Sequence, residues 1–456
     1  MMIEETVKFP FAFYFALGLL IAGFAYAWKM RTMGIGIPLG AVLGTVGIWY
    51  FGDALYNDYQ QYSIEIGAQY LEAAWWQVAL FIFALLTFVQ MLHRSMNRRL
   101  LGDRSEFWEL MNLGGIDNAE FQRRLDVATR LILTVWLVLM AIALIRTNFD
   151  FLGLFAPYVL GRTSPWGRGR VGGGFDALIS FANYLQIMLV AAFGIVAAIA
   201  KNRRTRMIGL MITAVSVPWF LLDRTRNTML AVVLPGFLAW LFLRFRGGVF
   251  AKVAIVTGAF IVTSAWMKFV IDVRGAGDIS QTFTRLGFSG VIQQYEDKDV
   301  KHQGLNMLEE LAWVNNFIDR GTYAVNYGQR YFAELVNPIP RVIWPDKPMI
   351  GIDYAIARGQ LFKGAGAGNA GVGATISTGM IGQGVVNFGT FFGVLAAAFL
   401  MALWVVILAR QDLLGEKMGR MLLFFIGCVL TFNLGRDITL ITVSYTHLRA
   451  HETLRY

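Results

Sequence analysis

Ten apolar stretches divide this chain, at approximately 9–28, 34–51, 73–93, 128–146, 177–200, 207–222, 228–243, 252–271, 385–409 and 420–441. A helix of about 20 apolar residues spans the hydrocarbon core of a bilayer. The rest of the composition agrees: 56% of residues are hydrophobic, 15% are charged, and the mean hydropathy is +0.53. A soluble domain of 456 residues could not hide that much apolar surface in one core. The expected fold is therefore an all-α integral membrane protein with about ten transmembrane helices. Spans 1–8 fall in residues 1–271 and spans 9 and 10 in residues 385–442. The first stretch does not read as a signal peptide, because Glu4 and Glu5 precede it and no small-residue cleavage site follows. The single cysteine, Cys428, lies inside the last stretch, so no intrachain disulfide is possible.

Basic residues concentrate in cytoplasmic loops. Lys29 and Arg31 follow the first span, and Arg94, Arg98, Arg99 and Arg104 follow the third. Lys201, Arg203, Arg204 and Arg206 follow the fifth, Arg244 and Arg246 the seventh, and Arg410 and Lys417 the ninth. These are alternate connections, so one topology satisfies them all, with the N-terminus outside. The 52–72 connection, acidic and without Lys or Arg, fits the outer side. At the other end, "VSYTHLRAHET" breaks off the last apolar stretch with no turn signal and resembles an in-frame translation of a sequencing-library adapter. The expectation is that residues 443–456 are non-native and that the natural chain is interrupted near Thr442.

One connection dominates. Residues 272–384 form an expected extracytoplasmic loop domain between spans 8 and 9, far longer than the usual few residues. Within it, "LNMLEELAWVNNFID" (305–319) puts Leu305, Leu308, Leu311, Ala312, Asn315 and Phe317 near one helical face. Such a helix would lie along the membrane interface or cap a cavity. "NPIPRVIWPDKP" (337–348) holds four of the ten prolines beside Arg341, Trp344 and Lys347. Proline excludes a continuous helix and biases the preceding residue towards extended backbone, which suits a stiff wall. "GAGAGNAGVG" (364–373) is flexible, and it lacks the trailing Lys-Ser/Thr of a phosphate-binding P-loop.

Several cations break the orientation pattern. Arg162, Arg168 and Arg170 lie outside, in "GRTSPWGRGRVGGGFD", and Arg224 and Arg226 occupy a short turn between spans 6 and 7. Arg274 ends span 8, and Arg436 with Asp437 sits in the outer half of span 10. Snorkelling to headgroups accounts for an arginine at a helix end, and Asp223, Asp272 and Asp437 are local partners for others. The remaining reading is an anion site at the outer membrane surface, where guanidinium forks suit phosphate. A lipid-linked pyrophosphate, its tail in the bilayer, fits that geometry. The sequence has no metal-ligand spacing and no nucleotide fingerprint. Candidate bases in the long loop are Asp278, Glu296, Asp297, Glu309, Glu310, Asp319, Glu334 and Asp353, and the sequence does not choose among them.

The order of many spans, a Gly/Arg loop before a mid-chain span, short arginine turns and a late long loop resembles a known family. With "IPRVIWPDKP" inside that loop and "GQGVVNFG" (382–389) opening the next span, the chain is similar to the Wzy-type oligosaccharide repeat unit polymerases over about residues 10–442. The family's spacing of Arg, ten residues and Gly is matched by Arg162 and Gly173, whereas Arg341 is followed at that distance by Ile352. The resemblance implies polymerisation of undecaprenyl-pyrophosphate-linked repeat units into a surface polysaccharide, in the bacterial inner membrane with active loops outside. It implies a glycosyltransferase with no cofactor or metal. Arg224, Arg226 and Arg274 would stabilise the leaving pyrophosphate as the catalytic set. Arg162, Arg168, Arg170, Arg341, Trp344, Lys347 and Arg436 would bind substrate. Candidate partners are the lipid-linked glycans, membrane lipids, a chain-length regulator and a flippase, with no nucleic acid. An O-antigen ligase is the alternative, for which His302 is the one outside imidazole before the tail. A polysaccharide or lipid transporter is a further one.

Overall fold

A computed structural model describes residues 9–97, 105, 115–151, 154, 165–166, 176–222, 226–274, 306–336, 339, 343–344, 348, 352–359, 361–362, 371–372, 377–413 and 418–436. Helix occupies every one of the ten apolar stretches. The first half contributes α1 (Phe11–Lys29), α2 (Gly36–Val46), α3 (Gly52–Tyr56), α4 (Tyr59–Tyr62), α5 (Ala68–Asn97) and α6 (Ala119–Arg146). Next come α7 (Asp176–Ile199), α8 (Arg203–Leu222), α9 (Arg226–Ala239) and α10 (Val249–Arg274). The long loop supplies α11 (Met307–Asp319), α12 (Gln329–Leu335) and α13 (Ile352–Ala357), and the chain continues with α14 (Gly379–Phe388), α15 (Phe392–Leu413) and α16 (Met418–Arg436). Strands β1 (Leu361–Phe362) and β2 (Gly371–Val372) pair antiparallel on either side of the glycine-rich segment, Leu361 opposite Val372.

Five helical segments are long and apolar enough to cross a membrane: Phe11–Lys29, Gly36–Leu55, Tyr59–Ser95, Ala119–Arg146 and Phe392–Asp412. Shorter apolar helices run over Leu185–Ile199, Ala231–Arg244, Phe250–Thr263 and Leu422–Phe432. The expectation of ten spans is thus matched by helix at every position, and by span length and composition at five of them among the described residues. Two of the five are continuous only because π-helical turns, Gly47–Phe51 and Ser63–Gly67, carry the chain from α2 into α3 and from α4 into α5.

The ninth stretch is divided. Gly389, with φ +82°, ends α14, and α15 restarts at Phe392 and packs back along it. The two helices touch backbone to backbone at Gly384 and Gly393, where any Cβ would collide with the partner's carbonyl oxygen. α7 and α9 pack in a similar way, a Cβ on Gly236 falling 2.7 Å from the Gly194 carbonyl carbon. Small residues at helix contacts are what close packing in lipid demands, since apolar surface alone gives no drive for helices to associate there.

The largest core unites α1, α2, α5, α14 and α15 with the loop helix α11. Met307, Leu308, Leu311, Ala312 and Val314 are as buried as any residue of the membrane helices. Separate cores join α6, α7 and α9 with α16, and α6, α7, α8 and α9 with Trp166.

Candidate functional site

Most of the arginines singled out from the sequence lie outside the described residues: Arg162, Arg168, Arg170, Arg224 and Arg341, with Lys347. Their neighbours give partial positions. Trp166, between Arg162 and Arg168, is buried and its indole N–H donates to Gln186 Oε1 of α7. Trp344 is half-buried, its ring edge-on to Phe332 of α12 at 6.3 Å.

Three of the arginines fall at helix ends. Arg226 is the first residue of α9, Arg274 the last of α10 and Arg436 the last of α16. α9 packs on α16, whereas α10 shares no extended face with either among the described residues. The end of α16 is held against α2: Trp49 Nε1 donates to the Phe432 carbonyl at 2.8 Å, and Gly435 lies against Thr45 and Trp49. The described polar side chains converge on Asp53, one helical turn past Trp49.

Asp53 is fully buried on α3 and is the acceptor that begins α11. Its Oδ2 takes the backbone N–H of Leu308 at 2.8 Å and of Glu309 at 3.1 Å. A helix start leaves its first N–H groups without partners in the helix, and a carboxylate there meets both the donors and the positive end of the dipole. Here the capping group comes from more than 250 residues away. Asp53 Oδ1 is held in turn by Asn57 Nδ2 at 2.7 Å and the Tyr62 hydroxyl at 3.1 Å.

In the same first turn of α11, two adjacent carboxylates meet one guanidinium. Glu309 and Glu310 are each 2% exposed. Arg358, just past α13, donates from Nε to Glu310 Oε2 at 3.2 Å and from Nη2 to Glu310 Oε1 at 2.9 Å, a two-pronged grip. The same Nη2 lies 3.2 Å from Glu309 Oε1. Tyr354, one turn before Arg358 and itself buried, donates its hydroxyl to Glu310 Oε2 at 2.6 Å. The Trp313 ring lies 4.6 Å beneath the guanidinium carbon, and its Nε1 donates to Glu309 Oε1 at 3.3 Å. Burial, with the neighbouring Glu309 charge, pushes the Glu310 carboxyl above the usual glutamate range against the pull of Arg358 and Tyr354. Burial and Glu310 likewise hold the Tyr354 phenol well above its ordinary value.

Further along, Gln77 of α5 and Asn315 exchange two amide hydrogen bonds of 2.9 Å, and Gln77 also reaches the Thr390 carbonyl at the α14–α15 break. Asn316 donates to the Ile66 carbonyl at 2.9 Å and Tyr70 to Asp319 at 2.7 Å. On the α12 side, Gln383 donates to Glu334 Oε1 at 2.6 Å, and Arg330 approaches the same carboxylate at 3.8 Å. The face expected to rest on an interface or cap a cavity is thus buried, and the opposite face is buried too.

Of the candidate bases, Glu309, Glu310 and Glu334 are enclosed and Asp319 is bonded to Tyr70. Asp278, Glu296 and Asp297 lie outside the described residues, and Asp353 is on α13. Asp53, Tyr354, Arg330 and Arg358 were not singled out from the sequence. Two local signals bear on them: Tyr354 and Arg358, like Arg330 and Glu334, stand four residues apart and share a helix face. Comparison with family models, with curated proteins and with solved structures finds no match to this chain.

Proposed function

We propose that this chain is a multi-pass glycosyltransferase of the bacterial inner membrane that polymerises lipid-linked oligosaccharide repeat units at the outer face. The observation that carries the reading is the docking of the long loop onto the bundle. Its helix α11 is capped by Asp53 and enclosed in the core it shares with α1, α2, α5, α14 and α15. In this reading the loop that carries Arg341, Trp344 and Lys347 lies over the ends of apolar helices, where a polyprenyl tail would enter from the bilayer. In this reading all ten apolar helices cross the membrane, and Arg224, Arg226 and Arg274 face the outer surface.

The step joins the acceptor hydroxyl oxygen to the anomeric carbon of the growing glycan. The bond from that carbon to the polyprenyl pyrophosphate breaks, its electron pair leaves on the pyrophosphate oxygen, and the hydroxyl proton passes to a base or to water. Pre-placed guanidiniums at the leaving group supply the electrostatic stabilisation such a step requires. The aromatic face of Trp344 suits a sugar ring. The test is a purified protein in lipid nanodiscs given lipid-linked repeat units and no nucleotide. Polymer ladders from the wild type, lost in Arg224→Ala, Arg226→Ala and Arg274→Ala with single units retained, support the assignment. Normal ladders from all three variants reject it.

Transport of a lipid-linked glycan is a second reading, favoured by the interrupted α14–α15 helix and by a carboxylate, Asp53, buried in an apolar segment. Movement of substrate across a proteoliposome membrane without polymer growth would select it.

A further inference from the structure

Between α12 and α14 the loop carries the proline-rich 337–348, with the expected substrate residues Arg341, Trp344 and Lys347, and the glycine-rich 364–373. α13 and Arg358 lie between them. Among the described residues of 339–372, the side-chain hydrogen bonds to the bundle are those of Tyr354 and Arg358, and all of them end on Glu309 or Glu310. Tyr354 also enters the main core, with Tyr323 edge-on at 6.0 Å and Phe317 at 6.3 Å.

The contact is built for one geometry. A guanidinium fork on a carboxylate fixes direction as well as distance, and a lysine could not reproduce it. The second carboxylate and the Trp313 face bound the guanidinium on its remaining sides. Glu309 and Glu310 are themselves immobilised, because their helix begins on Asp53 and is locked laterally by Gln77. A continuous line of hydrogen-bonded groups therefore runs from α3 through α11 to the middle of the substrate loop.

We infer that the Glu309–Glu310 pair, with Arg358 and Tyr354, is a latch that positions the 352–359 segment of the long loop for the lipid-linked glycan. These are positioning residues: Glu309, Glu310 and Tyr354 are enclosed and Arg358 is mostly covered, each bonded to the others and assigned no reacting atom. The inference rests on the polymerase reading for its substrate, while its mechanical half stands apart from that reading. Opening the latch frees 352–359 without disturbing α11, which keeps its cap and its lateral bonds. The consequence is weaker substrate capture with the chemical step retained, a rise in KM more than a fall in kcat.

The experiment uses the full chain in nanodiscs, as wild type, Arg358→Gln, Arg358→Lys, Glu310→Gln and Tyr354→Phe. Hydrogen exchange is followed over 352–359 and over α11, and polymer formation is measured against the concentration of lipid-linked repeat. Arg358→Gln is expected to speed exchange over 352–359 by roughly tenfold or more while α11 keeps its protection. The same variant is expected to raise KM roughly tenfold with kcat within a few-fold of wild type. Arg358→Lys falls between the two, and Tyr354→Phe gives the mildest change. Unchanged exchange over 352–359 in Arg358→Gln overturns the latch, as does a fall in kcat with KM constant. Loss of protection in α11 together with 352–359 also overturns it, since the contact would then hold the fold and not the loop. A wild type that makes no polymer, with the exchange pattern as expected, refutes the polymerase reading and leaves the latch supported as a mechanical element.

Discussion

Two helices flank the first part of the long loop and obey opposite rules. α10 is apolar along almost its whole length, yet Phe250 is 92% exposed and Val262 70% exposed. α11 carries two adjacent glutamates, and both are enclosed. In water this would be an inverted protein. On the reading that α10 crosses a bilayer it is consistent: lipid tails solvate valine and phenylalanine as well as another helix does, so α10 would gain little by packing. A charged group has no such alternative. The α11 glutamates are enclosed with Arg358, Tyr354 and Trp313 arranged around them. The difference teaches that an apolar helix of this chain tolerates exposure that its buried carboxylates do not, since each enclosed glutamate has its own polar partners.

The sharpest way to break that contrast is to remove the residue that starts α11. Asp53→Ala leaves the N–H groups of Leu308 and Glu309, the Asn57 amide and the Tyr62 hydroxyl enclosed without their acceptor. Losing charged hydrogen bonds of this kind costs on the order of 3 kcal/mol. Thermal unfolding in nanodiscs should show the largest fall here, with Asp53→Asn intermediate because an amide oxygen still accepts. An unchanged midpoint for Asp53→Ala would mean that α11 docks through its apolar residues alone.

The glycine contacts come next. Gly393→Ala or Gly384→Ala must part α14 from α15, since each Cβ would meet the facing carbonyl. Overpacking of this sort costs roughly 1–3 kcal/mol. Cysteine pairs placed across the two helices should then cross-link more slowly. Alanine at Gly258 of α10, where nothing lies within 4 Å of a Cβ, is the matched control and should be silent.

The pH dependence distinguishes the two helices more gently. Burial holds the Glu310 carboxyl above its ordinary range, so between its unfolded and folded values the native state binds more protons than the unfolded one. That contribution to stability is complete below the unfolded value and is lost as pH rises through the raised one. Unfolding midpoints across this window should decline with pH in the wild type and run flatter in Glu310→Gln. A wild-type midpoint that climbs through the same window would contradict the assignment.

The helices and their apolar character were legible because span length is a local property: ten stretches of the right size are visible without any neighbour. The docking of α11 was half legible. Its periodicity marks Leu308, Leu311, Ala312 and Asn315 as one face, but the burial of Glu309 and Glu310 depends on Arg358, 48 residues on, and nothing local pairs them. Asp53 gave no signal, because a carboxylate at the end of an apolar stretch reads as the start of a loop. The break at Gly389 was hidden for the opposite reason: the hydropathy runs on across it while the backbone turns. Charge that departs from the orientation pattern drew the reading to arginines at helix ends, whereas Arg330 and Arg358 fall in a loop where arginine is unremarkable by position.

The smallest expected effect tests α10 itself. Val262→Leu and Val253→Ile alter side chains that are 70% and 57% exposed, on a helix without an extended packing partner among the described residues. If lipid covers them, the exchange of one apolar group for another changes neither solvent nor neighbour, and the midpoint should stay within about 0.5 kcal/mol of wild type. A change of one methylene in the opposite sense inside α11, at the fully enclosed Leu308 or Leu311, removes contacts that lipid cannot replace: Leu311→Val should cost about 1 kcal/mol. A loss at Val262 as large as that at Leu311 would mean that a protein surface covers α10, and the contrast between the two helices would then be one of partners and not of solvent.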